Sequence, residues 1–182
     1  MAFLSLSEII DITIMTLVVG YIFIDSFRTY AHNTKDAFLL SIAAVAPAII
    51  LHEFGHKIIG ILFGFDATFN AAYPWLFIGI VLKILSGFVF FVPAYVSLSC
   101  PADCIITPGA SALIAFAGPL INATLYLGAL LALKYGTWTP KQHLLLRATQ
   151  KINGILFLFN MLPIPLFDGF KVYEGIWRIL TA

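Results

Sequence analysis

Long apolar runs separated by short polar stretches set the pattern of this chain. The first run spans about Ile9 to Phe27, with Asp11 and Asp25 near its ends. The polar stretch Arg28 to Asp36, which includes His32, reads as a loop. A second run extends from about Ala37 to Phe63, with Pro47 inside it. A third, about Pro74 to Leu85, is short and contains Lys83. A fourth starts after Pro108-Gly109 and ends near Tyr135. A fifth covers about Gln150 to Leu162, and a short helix, Phe170 to Leu180, closes the chain. About 20 apolar residues suffice for a helix to cross a bilayer. Tyr73 and Trp75, and then Trp138, Lys141, Arg147 and Lys151, mark interfaces, with His143 on the surface.

Two stretches break the helical pattern. Gly64 to Asn70 alternates loosely and could form a short strand. Gly87 to Ser99 is β-branched, aromatic and punctuated by proline, and reads as an extended or hairpin segment at the membrane surface. Irregular backbone at that depth must be covered by protein or line a wet cavity. The expected fold is an all-α polytopic membrane protein of about six transmembrane helices with a short membrane-associated β or extended segment.

Composition agrees: 61% of the residues are hydrophobic, 10% are charged and the mean hydropathy is +1.00. A soluble domain carries far more charge. One transmembrane domain over residues 1–182, with its core at about 37–169, leaves no room for a soluble one. The N-terminal run lacks a basic flank and a small-residue cleavage site, so it reads as a retained span. The net charge of +1 says nothing about nucleic acid and no basic cluster suggests it, so no nucleic-acid partner is expected. Cys100 and Cys104 read first as incidental loop cysteines, with a disulfide as the alternative if that loop faces an oxidising compartment.

The chemistry centres on His52-Glu53-Phe54-Gly55-His56 in the second run. On a helix His52 and His56 share one face, the spacing of two zinc ligands, and Glu53 is placed to act on a water at the metal. Lys57 follows at once and could snorkel to an interface. A catalytic zinc takes a third protein ligand. Leu62 stands where a metzincin would carry its third histidine. Glu174 lies at the extreme C-terminus, and Asp66 and Asp103 lie in apparent loops. Asp168 is the better candidate, a carboxylate in an apolar, proline-broken stretch where an unpaired charge is costly. Gly169 beside it permits an unusual backbone turn. The competing role for Asp168 is to cap the last helix. Asn122, in Ala117-Gly118-Pro119-Leu120-Ile121-Asn122, puts an amide into the fourth run, where an interhelical hydrogen bond is its bland role.

These residues resemble a known family. His52-Glu53-x-x-His56 on one span, Ala117-Gly118-Pro119-x-x-Asn122 on another and Asn160-x-x-Pro163-x-x-x-x-Asp168-Gly169 after a third look like the site-2 protease family of intramembrane zinc metalloproteases. The resemblance covers roughly Ala37 to Gly169. It implies that His52, His56 and Asp168 bind one Zn2+, that Glu53 is the general base, and that Asn122 and Asn160 lie near the substrate as oxyanion candidates. It implies a transmembrane protein substrate cut in or near its helix, in regulated intramembrane proteolysis. The chain departs from the commoner pattern in three ways: a longer stretch separates the first two motifs, Phe170 replaces a second glycine after Asp168-Gly169, and no PDZ or cystathionine-β-synthase-type domain is present.

Two other classes compete. A non-catalytic zinc-binding scaffold of the same fold is the main alternative, and the intact Glu53 does not favour it. A zinc transporter needs acidic or histidine groups along several spans, and these spans offer few. Arg28 and Lys35 place the loop between the first two spans in the cytoplasm by the positive-inside rule. The resemblance implies the reverse: a cell-membrane protein with its active site nearer the cytoplasmic side. The expectation follows the resemblance.

Overall fold

Capping side chains set where four of the helices of the fold begin. In the computed structural model, which describes residues 3–87, 92–100 and 106–181, helix α1 (Leu6–Phe23) starts at Ser5. The Ser5 hydroxyl accepts from the Glu8 amide while the Glu8 carboxylate accepts from the Ser5 amide. A 3-10 segment, Ile24–Tyr30, extends it into what the sequence suggested was loop. Asn33 caps α2 (Thr34–Leu62) by accepting from the Asp36 amide, so this helix starts before the apolar run does. Then follow strand β1 (Asp66–Ala71), helix α3 (Tyr73–Ser86) and strand β2 (Ala94–Ser99). Helix α4 (Pro108–Tyr135), capped by Thr107, matches the expected fourth run. Helix α5 (Pro140–Asn160) begins ten residues before the apolar pattern does, because Thr139 and Gln142 form a reciprocal cap with proline in the first turn. Helix α6 (Asp168–Leu180) ends the described chain.

Three of the described helices are long and apolar enough to cross a membrane: Leu6–Tyr30, Thr34–Leu62 and Pro108–Tyr135. The expectation of about six such spans is therefore met by three. The 14 residues of α3 reach only about 21 Å, short of a hydrocarbon core of about 30 Å. The first turns of α5 carry Lys141, Gln142, His143 and Arg147, which dilute its apolar character.

Helix α4 lies among α2, α5 and α6, and α1 packs on α2. The main apolar cluster joins Met15 and Val19 of α1, Leu40, Ala44, Val45 and Ile49 of α2, Phe69 of β1 and Leu76 of α3. The two strands pair antiparallel, from Asp66 opposite Ser99 to Ala71 opposite Ala94. The sequence pointed to an extended segment in each place, and the structure joins them to each other.

Helix α1 closes one edge of this sheet. The Phe69 amide donates to Glu8 Oε1 at 2.7 Å and the Ala71 amide to Asp11 Oδ2 at 3.0 Å. Both amides therefore point away from β2. In an antiparallel ladder such positions are non-hydrogen-bonded pairs. Their partners Val96 and Ala94, and Leu98 by the same alternation, turn their backbone groups to the far edge of β2. Glu8 also forms an ion pair with Lys57, and both side chains are buried. Lys57 thus does not snorkel: it turns inward and ties α2 to α1. Cys100, just after β2, is disulfide-bonded, which corrects its reading as an incidental cysteine; Cys104 lies outside the described residues.

Removing one partner of a buried ion pair leaves a bare charge, at a cost of about 3–5 kcal/mol. Lys57→Met is expected to lower the thermal midpoint in detergent sharply. Glu8→Gln with Lys57→Met should recover much of it, because the glutamine oxygen can still accept from the Phe69 amide. A double variant no better than the single one would show that the pair is not what holds α1 to α2.

Candidate metal centre

His52 and His56 lie one helical turn apart on α2, with their ring centroids 4.7 Å apart. Each ring is held from behind through Nδ1. His52 Nδ1 lies 2.6 Å from Asn122 Oδ1, and His56 Nδ1 lies 2.7 Å from the Ile114 carbonyl oxygen. Both partners are on α4. A carbonyl oxygen can only accept, so Nδ1 of His56 carries the proton. The Asn122 amide nitrogen donates to the Ala48 carbonyl at 3.2 Å and to Asn153 Oδ1 at 2.8 Å. That leaves its oxygen for His52, whose Nδ1 is likewise the donor. In the neutral rings both Nε2 lone pairs then face inward, 3.1 Å apart.

Asp168 completes the group. Its Oδ2 is 3.2 Å from His52 Nε2 and 3.3 Å from His56 Nε2. It is the first residue of α6, where Phe167 occupies the cap position and no side chain caps the helix. The capping role for Asp168 is thus not the one it plays. Ionised, a carboxylate supplies the oxygen donor that a metal takes.

Two lone pairs and a carboxylate oxygen this close repel one another unless a cation lies between them. His52, His56 and Asp168 could hold a metal ion. The donor set suits zinc: four-coordinate zinc with bonds near 2.0–2.2 Å places neighbouring ligand atoms about 3.3 Å apart, and the three atoms here are 3.1–3.3 Å apart. Three protein ligands leave a fourth position open, as catalytic sites require.

Two glycines let the helices come this close. A Cβ on Gly118 would lie 2.7 Å from His52 Nε2, inside the ligand cluster. A Cβ on Gly169 would lie 2.6 Å from the Met161 carbonyl carbon. Gly169 does not serve as an unusual turn, since the positive-φ glycines among the described residues are Gly64 and Gly87. It serves as close contact between the start of α6 and the end of α5.

A cavity of ≈ 740 Å³ opens on the cluster and is lined by His52, Glu53, His56 and Asp168, by β2 and by the apolar face of α5. Glu53 is 7% exposed, and among the described residues no group donates a hydrogen bond to its carboxylate. Asn160 lines the same cavity, whereas Asn122 is fully buried behind His52. Asn153, also buried, was not singled out from sequence. Its signal was weaker than that of Asn122, because Gln150, Lys151 and Asn160 share its helix.

A curated protein of Methanocaldococcus jannaschii, named a putative zinc metalloprotease, is 34% identical to this chain over 185 aligned residues, which cover 97% of this chain and 90% of the relative. No family model matches the chain, and no solved structure matches it.

Gly118→Ala is expected to push a methyl group into the ligand cluster and abolish stoichiometric zinc, read as metal per chain after dialysis. Gly128→Ala on the same helix, where an added Cβ meets nothing within 4 Å, should bind zinc as the parent does. Equal zinc in the two variants would sink this account of the site.

Proposed function

The chain belongs to the zinc metalloprotease family, and from that premise we propose that it is an intramembrane peptidase of the site-2 protease kind. It hydrolyses peptide bonds in or near transmembrane helices of membrane-protein substrates, as in regulated intramembrane proteolysis. The observation that carries this reading is the cavity. It joins a zinc-suited His52, His56 and Asp168 cluster with, among the described residues, an unengaged Glu53 and an open strand edge, within a bundle whose longest helices are apolar.

One zinc per chain, when bound, would polarise the scissile carbonyl and make an attacking water more acidic. Glu53 takes the proton from that water and hands it to the leaving amine. Its free carboxylate oxygens are available for both transfers. Asn160 is the better placed of the two asparagines to donate to the developing oxyanion, because it lines the cavity. Both amide hydrogens of Asn122 are already given to Ala48 and Asn153.

A helical substrate has its carbonyls hydrogen-bonded along its own axis, so the scissile segment must first be extended. The outer edge of β2 can receive it as an added strand. The edge of β1 is closed by Glu8 and Asp11, whereas Ala94, Val96 and Leu98 present theirs beside the metal cluster. The lipid bilayer is then the protein's medium. The family resemblance supports a multi-pass cell-membrane protein with the active site nearer the cytoplasmic side.

Glu53→Gln is expected to keep zinc and lose about 10²–10⁴-fold in cleavage of a transmembrane test substrate in detergent. Zinc in both proteins with equal cleavage would overturn the mechanism, and zinc in both with cleavage by neither across a substrate panel would favour the scaffold. Val96→Pro removes an edge amide without touching the ladder to β1. It should abolish cleavage of a helical substrate while zinc binding persists, and unchanged cleavage would remove strand addition from the mechanism.

A further inference from the structure

We propose that Asn153 of α5 is a positioning residue for the metal centre, acting through Asn122 to set which nitrogen of His52 carries the proton and so keep the Nε2 lone pair toward the metal. This rests on the zinc-site reading above. Five groups form one directed, branched network. Asn153 Nδ2 donates to the Thr149 carbonyl at 2.8 Å, and Asn153 Oδ1 accepts from Asn122 Nδ2 at 2.8 Å. Asn122 Nδ2 also donates to the Ala48 carbonyl at 3.2 Å, and Asn122 Oδ1 accepts from His52 Nδ1 at 2.6 Å. Thr149 and Ala48 contribute backbone oxygens, which can only accept. Neither amide can therefore turn over without setting oxygen against oxygen.

The two histidines differ in this respect. The proton on His56 Nδ1 is fixed by a backbone carbonyl, which cannot reverse its polarity. The proton on His52 Nδ1 is fixed by a side-chain amide, which can. Rotated by half a turn, Asn122 would offer N–H to His52 Nδ1. The neutral ring would then carry its proton on Nε2 and lose the lone pair aimed at the metal. Two oxygens oppose that rotation, Ala48 O and Asn153 Oδ1, and only the second belongs to a residue that can be substituted. Asn122 and Asn153 are 0% and 1% exposed, so water does not replace a lost partner. An amide hydrogen left unpaired there costs about 1–3 kcal/mol, and rotation is one way to relieve that cost.

The test measures zinc affinity of the full chain in detergent by competition with a chromophoric chelator. Thermal midpoints of the zinc-free proteins are recorded in parallel. Asn153→Leu keeps the volume but removes the acceptor, and is expected to raise the zinc Kd about 10–100-fold, the usual effect of losing a partner behind a ligand. Asn153→Asp, protonated in this buried position, still accepts from Asn122 and donates to Thr149. It is expected to bind zinc as the parent does. If the leucine variant does not fold, Asn153→Ala takes its place with the same expected loss. A lowered midpoint with unchanged zinc affinity would mean a merely structural role and overturn the proposal, as would an aspartate variant no better than leucine. A parent protein that binds no zinc would instead overturn the metal-site reading on which the proposal stands.

Discussion

Two imidazole nitrogens and one carboxylate oxygen are held 3.1–3.3 Å from one another, with their lone pairs turned inward. Left to themselves such groups separate. Here three helices hold them together, and much of the interior is arranged to do so. Ala48, His52 and His56 recur every four residues and form one stripe along α2. Ile114, Gly118 and Asn122 form a matching stripe on α4. Asn122 meets Ala48 and His52, Gly118 lies against both imidazoles, and the Ile114 carbonyl meets His56. Side chains four apart share a helix face, so the two stripes mate as antiparallel rows, with glycine where the rings need space.

Outside this cluster the buried charges are paired, as an apolar bundle requires. Glu8 accepts from Ser5, Phe69 and Lys57, so one carboxylate starts α1, holds β1 and neutralises a buried cation. Asp11 repeats the device at Ala71. The result, among the described residues, is a sheet with one closed edge and one open edge, the open one lining the cavity. The same pairings that satisfy buried groups thereby determine where an extended peptide can add. Structure and proposed substrate binding meet in this asymmetry.

Much of the site was legible because its signals are local. The spacing of His52 and His56 follows from helix geometry, and the cost of an unpaired carboxylate among apolar residues marked Asp168. The strands at Asp66–Ala71 and within Gly87–Ser99 were legible from alternation and β-branching. The early start of α5 was hidden, since hydropathy sees its first turns as loop whereas the Thr139–Gln142 cap makes them helix. Lys57 misled for a similar reason: snorkelling is the default for a lysine near a helix end, and a buried partner 49 residues away in sequence overrides it.

By itself the sequence determined the periodicities: which residues share a helix face, which runs are apolar enough to cross a membrane, and which polar groups stand alone among apolar neighbours. The tertiary structure decided the partners. It brought Asp168 to the two histidines, turned Asn122 behind His52 and linked it to Asn153, and closed the β1 edge of the sheet with Glu8 and Asp11. Helical spacing is written into a single segment, because it depends only on residues a few positions apart. A hydrogen-bond partner supplied by another helix depends on how the helices pack, and no local pattern in the chain carries that.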